Sequence, residues 1–236
     1  MQRHFAHFET LYDIGKVLWY NVGVCEEQGV IRQSYHFTPV FDAPNSARTV
    51  VQARGFDQEW LDLYEKADFR SKDPVPERTM RHGQLLTWKD ARWLEPNTAE
   101  NEEYFEAMEA HGLIHGFGLP LYGPRGRNAY ASFDFGCPLE EVSDERLGIV
   151  RSVSQAGHQR ICVLLDKART LPDLSEREAE VLQWLVRGKS LSVIAEILDL
   201  SPDTVKTYSK RIYAKLEATD RIGAVIKALK LGVVTA

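Results

Sequence analysis

The sequence predicts an α+β protein in two parts: an antiparallel sheet covered by helices, then a smaller unit of four helices. Three observations carry this reading. Strand-like runs follow one another between helical segments at both ends of residues 1–168. From residue 174 onward every segment has a helical period. Charge divides at the same place: residues 1–172 carry 19 Lys/Arg against 25 Asp/Glu, and residues 173–236 carry 10 against 9. An acidic larger part and a near-neutral smaller part suggest units with different partners.

The elements follow in order. Phe5, Phe8, Tyr12 and Val17-Leu18 recur at helical spacing and predict an opening helix or helix pair. Residues 33–40 and 47–53 read as strands separated by a Pro/Asn turn. A helix is expected from Asp57, as N-cap, through Phe69. Another runs from Asn97 to His111 and is closed by Gly112. Phe117–Tyr122 and Ala129–Phe135 form a hairpin about the Gly123–Arg127 turn. Glu141–Lys167 is a long closing helix. The boundary falls at residues 169–173, where Pro172 disfavours helix at the residue before it. In the small part, Ser175 and Glu178 have capping-box spacing, and Gly188 ends that helix. Leu191–Leu198 is a second helix and Asp199-Leu200-Ser201 a turn. Pro202, capped by Ser201, starts a third helix that reaches about Leu216. Asp220–Leu231 is a fourth, closed by Gly232.

Composition narrows the function. With 44% hydrophobic and 27% charged residues, the chain has the make-up of an ordinary soluble globular protein. It lacks a run of about 18 apolar residues, which predicts no membrane span. The opening residues lack the apolar core of an export signal. Three cysteines without CxxC spacing predict reduced thiols in a cytoplasmic protein.

The third helix of the small part sorts its residues by face. Val205, Ile212 and Leu216 make an inward stripe, with Tyr208 or Ser209 filling the gap. Thr204, Lys206, Thr207, Lys210 and Arg211 point elsewhere. Lys206, Lys210, Arg211 and Lys215 oppose only Asp203, so the helix is locally basic and suits a groove lined with phosphates. Alone, the pattern equally describes any amphipathic helix with a charged outer face.

The string Leu174-Ser175-x-Arg177-Glu178-x-Glu180-Val181-Leu182, Gly188-Lys189-Ser190, Ile194-Ala195, Leu200-Ser201-x-x-Thr204-Val205-Lys206, Lys215-Leu216, Arg221 and Ala224-Val225 resembles the LuxR-type DNA-binding domain. The resemblance covers 174–234 without a gap. It implies a helix-turn-helix at about 191–210, with Glu178, Leu182 and Gly188 as framework. Asp203, Lys206 and Lys210 match positions that contact bases in relatives; Thr204, Thr207 and Arg211 complete the expected DNA-facing set. Tyr208 departs from the His of many relatives. One such module binds DNA weakly, so a homodimer on an inverted-repeat site is expected.

In the large part, Trp60 and Tyr64 are four apart and share a helical face. That pattern by itself more often marks a core stripe. Asp73-Pro74 by itself is a turn former. Together, an indole NH, a phenol OH and a carboxylate could orient a small amide or ester in an apolar cavity. Trp60, Tyr64, Asp73, Pro74, Trp88 and Gly116, supported by Ser34-Tyr35-His36 and Leu119-Pro120-Leu121-x-Gly123-x-Arg125-Gly126, resemble the autoinducer-binding domain of LuxR-type quorum-sensing regulators. The resemblance implies an α-β-α sandwich as an N-terminal ligand-binding domain over 1–168, joined to the four-helix DNA-binding domain at 174–236. It further implies an N-acyl-homoserine lactone as the signal ligand, with no cofactor. Trp60 then donates to the lactone carbonyl, and Asp73 accepts from the amide NH. Tyr64, helped by Ser132, donates to the amide carbonyl, and Trp88 packs by the lactone ring. Phe56 stands where some relatives carry Tyr. Phe37, Val50, Phe69, Val75, Leu113 and Phe117 are candidate acyl-chain liners or plain core.

Rival readings fare worse. Strand-helix alternation for a phosphoreceiver is absent. A GxSxG elbow and an HxHxDH cluster are also absent, so a non-enzyme is expected. His111 and His115 have metal-compatible spacing, but Gly112 interrupts the helix between them. The alternatives are a regulator answering to a different small molecule, one acting without ligand, and a large domain that only dimerises.

Overall fold

The computed structural model of the protein describes residues 2–38, 49–167 and 171–234. The expected Pro/Asn turn, the outer ends of the two strands flanking it (residues 39–40 and 47–48), and boundary residues 169–170 lie outside these. The chain divides into two compact units, Met1–Lys167 and Ala168–Ala236.

The first unit is built on one antiparallel sheet. Its strands are β1 (Arg32–Phe37), β2 (Val50–Arg54), β3 (Leu86–Thr87), β4 (Phe117–Leu121) and β5 (Ala129–Asp134), in the order β2-β1-β5-β4-β3. Alternation decides which side chains go where. Ala129, Ala131 and Phe133 of β5, with Phe117, Leu119 and Leu121 of β4, face one way. They pack with α1 (Gln2–Thr10), α2 (Ile14–Glu27) and the long α8 (Asp144–Lys167). On the other face a second core joins Trp60, Phe69, Val75, Trp88, Tyr104 and Met108 with Tyr130 of β5. Those residues come from α3 (Gln58–Lys66), α4 (Phe69–Lys72), α5 (Val75–His82), α6 (Trp88–Trp93) and α7 (Ala99–Ala110). Helices thus cover both faces, the sandwich that the resemblance implied.

Several local expectations need correction. The helix expected to run to Phe69 stops at Lys66, because Asp68 adopts a left-handed conformation (φ 50°) that starts a new turn. Asp57 holds the N-cap position without a side-chain cap bond. The long helix starts at Asp144, after a 3₁₀ turn at 139–141. Helices α5 and α6 were not expected. Pro76 reads as a helix breaker, but it lies in the first turn, where no intrahelical N–H is lost. Thr87 caps α6 by accepting from the Asp90 amide at 3.0 Å.

The second unit is α9 (Glu176–Val186), α10 (Leu191–Leu198), α11 (Pro202–Lys215) and α12 (Arg221–Leu231). Each N-terminus is capped by a side chain, from Ser175, Ser190, Ser201 and Asp220 in turn. Val181, Leu182, Leu185, Ile194, Val205, Ile212, Leu216, Ala224 and Ala228 make its core.

Candidate functional site

Asp73 organises the first site. The helix pair α3–α4 ends on it, and its Oδ1 accepts the Val75 amide at 2.9 Å, capping the entry to α5. Asn101 of α7 holds the preceding Lys72 carbonyl at 2.9 Å, fixing this corner against α7. The carboxyl is only 6% exposed, so the sequence-level alternative of a surface turn fails. Tyr64 donates to its Oδ2 at a long 3.4 Å. Burial raises its pKa to about 7, against the opposing pull of hydrogen bonds from Val75, Tyr104 and Tyr64. Burial and the nearby carboxylate push the Tyr64 and Tyr104 hydroxyls well up, so both stay protonated donors.

Around this carboxyl lies a cavity of about 90 Å³ between the sheet and α3–α7. All five expected residues, Trp60, Tyr64, Asp73, Trp88 and Ser132, line it. Trp60 is buried, and its ring packs on Tyr64, Phe69, Tyr104 and His111 at centroid distances of 5.4–6.1 Å. Trp88 lies against the backbone of Gly116, where a Cβ would come within 2.4 Å of its ring; only glycine leaves it room. The sheet contributes Ser34, His36, Tyr130 and Ser132, all on one face by alternation. Ser34 Oγ is 2.7 Å from Ser132 Oγ and 2.8 Å from His36 Nε2. The Tyr130 hydroxyl interacts with Trp88 and Ser132.

The cavity is smaller than the roughly 150 Å³ apolar space that takes one benzene ring, so a guest has to move its walls. Met108, Leu113 and Trp88 also line an open groove of about 500 Å³, and Met108 has the flexibility to yield.

The sequence missed Tyr104, Tyr130 and Met108, and gave His36, within Ser34-Tyr35-His36, no role in the site. Tyr130 and His36 were reachable, since each is two residues from a matched serine on the same strand face. Tyr104 carried no local signal, because its partner lies 31 residues away. Among the candidate liners, Leu113 reaches the cavity, and Phe69 and Val75 lie in the core behind it. Phe37 and Phe117 pack on the opposite sheet face. Val50 is 68% exposed, and its neighbour Val51, in register with His36, lines the cavity instead.

A larger cavity of about 140 Å³ lies across the sheet, beside α2 and α8. Its polar groups are engaged internally: Tyr35 with His158 at 2.8 Å, and Gln33 donating to the Val22 carbonyl at 3.3 Å. Among the expected binding residues none lines it.

In the second unit, α10, the Asp199–Ser201 turn and α11 form a helix-turn-helix. Val205, Ser209, Ile212 and Leu216 face inward, so Ser209 fills the gap left open by the sequence. Asp203, Lys206, Thr207, Lys210 and Arg211 are exposed. Thr204 is half-buried and shares the cap with Ser201 at 2.8 Å, and Thr207 donates to the Asp203 carbonyl at 2.9 Å. Lys215 corrects the basic-helix reading. It donates to buried Glu178 at 2.7 Å and to the Asp173 carbonyl at 2.6 Å, so its charge serves the framework. That hydrogen bond holds Glu178 below its usual pKa. Lys206, Lys210 and Arg211 remain outward against Asp203.

A cavity with buried polar groups in an α-β-α unit, in one chain with a helix-turn-helix, is the arrangement of a ligand-binding transcription regulator. Residues 23–161 match the autoinducer binding domain, and residues 172–228 match the bacterial regulatory proteins of the luxR family. The quorum sensing-dependent regulator RpaR of Rhodopseudomonas palustris is 31% identical over 190 residues, 77% of this chain and 74% of that one. SdiA of Escherichia coli is 28% identical over 186 residues, 76% of this chain and 74% of its own. A crystal structure of SdiA superposes with a TM-score of 0.75 at 21% identity, over 100% of this chain and 98% of that one. The chain belongs to the LuxR family of autoinducer-binding transcription regulators.

Proposed function

We propose that the protein binds an N-acyl-homoserine lactone in the Trp60–Tyr64–Asp73 cavity and, as a cytoplasmic homodimer, binds an inverted-repeat DNA site through α11. One observation carries the ligand reading: a buried carboxyl, three tyrosines and two buried indoles line the same cavity. A lactone carbonyl, an amide NH and an amide carbonyl need such partners, since each left unmet costs on the order of 1–3 kcal/mol. Asp73 accepts from the amide NH, Tyr64 with Ser132 serves the amide carbonyl, Trp60 donates to the lactone carbonyl, and Trp88 closes the ring end. On the DNA side, Lys206 and Lys210 contact base edges and Arg211 neutralises phosphates. Asp203, Thr204 and Thr207, on the N-terminal half of α11, approach base edges.

Occupancy stabilises the folded first unit by mass action, and a ligand shifts an activity only through its differential affinity for two states. The test is thermal melting of the full chain against lactones of graded acyl length, with gel shifts on inverted-repeat DNA. A raised midpoint that Asp73→Asn abolishes supports the proposal; no shift with any member overturns it. A second reading is a non-lactone amphiphile, because a structure of SdiA in complex with octanoyl-rac-glycerol has the same fold (TM-score 0.71, 22% identity). A melt raised by a monoacylglycerol but by no lactone selects it.

A further inference from the structure

The cavity of about 140 Å³ across the sheet, between β1, β2 and β5 and helices α2 and α8, has the room of a site in its own right. Its volume is close to the roughly 150 Å³ that takes one benzene ring. Leu121, Ala131, Phe133 and Ile161 give it an apolar wall, and Gln33 and Tyr35 of β1 bring polar ends to it. By strand alternation these two point away from Ser34 and His36, so β1 separates this space from the Asp73 cavity. We propose that it is a second small-molecule site, for a neutral single-ring compound whose hydroxyl or N–H donates to the Tyr35 oxygen.

The hydrogen bonds of His158 fix that polarity. Its Nε2 lies 2.8 Å from the Arg127 backbone carbonyl, which can only accept, so Nε2 carries a proton. Burial lowers the His158 pKa, so the ring is neutral and Nδ1 is bare. Tyr35 therefore gives its one proton to Nδ1, at 2.8 Å. The phenol oxygen keeps only the capacity to accept, and a guest meets it with a donor. Gln33 turns its amino group to the Val22 carbonyl at 3.3 Å, which leaves its amide oxygen as a further acceptor. Trp19 and Arg54, both exposed, stand at the solvent side. Arg54 lies 5.6 Å over the Trp19 ring and pairs with Glu26 at 3.4 Å, so its charge is already matched. An ionic guest would be buried without a counter-charge, which is why the compound is neutral. The proposal stands apart from the lactone reading, and the two sites fill independently.

The experiment titrates the full-length protein with phenol and with fluorobenzene, a ring of like size without a donor, in a calorimeter. Phenol should bind saturably at one site per chain. Tyr35→Phe should lower its affinity relative to fluorobenzene about fivefold, the scale of one buried hydrogen bond. Ala131→Leu, which fills the space, should abolish binding of both, and Asp73→Asn, on the other face of the sheet, should change neither; circular dichroism checks that each variant is folded. A crystal of the wild type soaked in phenol needs no variant and should hold the ring between Tyr35 and Ile161. Absence of saturable phenol binding overturns the proposal. So does an affinity ratio unchanged in folded Tyr35→Phe, binding that survives in folded Ala131→Leu, or a ring found only in the Asp73 cavity.

Discussion

The two oxygens of Asp73 have separate tasks: Oδ1 caps α5, and Oδ2 faces Tyr64 across a stretched 3.4 Å contact. Its folded pKa of about 7 lies above the ordinary 3.8. The stability this linkage provides is complete below the unfolded pKa and is lost as pH rises through 7. The unliganded protein should therefore melt lower at pH 8 than at pH 6, and Asp73→Asn should flatten that slope. An amide NH donating to the carboxylate favours the charged form. Lactone-induced stabilisation should then be larger at pH 8 than at pH 6 in paired thermal melts. Gly116 offers a second test. Gly116→Ala drives a methyl into the Trp88 ring, so it should weaken ligand binding about tenfold or more, measured against a folded control by circular dichroism. Trp60, Tyr64, Asp73 and Trp88 were legible through the family resemblance that their spacing carries, since by itself each pair reads as core or turn. Tyr104 was not, since only the packing of α7 onto α4 brings it to Asp73.

Among the elements, those with explicit stop and start signals were readable. The capping box of Ser175 and Glu178, and Ser201-Pro202, placed α9 and α11 within a residue or two. Strand alternation placed β4 and β5. The run from 75 to 93 was not readable, because Pro76 mimics a breaker and α6 is too short to show a period. Helix α11 shows how tertiary contacts override an element's own charge pattern. Lys215 looked like part of the basic face, but α9 supplies a buried carboxylate that captures it. Lys215→Met leaves Glu178 buried without its cation and should destabilise the second unit by on the order of 2 kcal/mol in urea denaturation. Lys206→Ala should leave stability unchanged. It should weaken binding to the inverted-repeat site more than to unrelated DNA, so the specificity ratio read by gel shift falls.

For the molecule as a whole, two units with separate cores predict two unfolding transitions in calorimetry. A bound lactone should raise the one belonging to residues 1–167. The same unit sets the tempo of the response. Its cavity of about 90 Å³ is too small for a guest larger than benzene, so capture waits for the walls to part, and association is slower than for a cavity already of full size. Departure waits for the same parting. A receptor built this way registers the disappearance of its signal late, and a population diluted into fresh medium keeps reading its earlier density for a while.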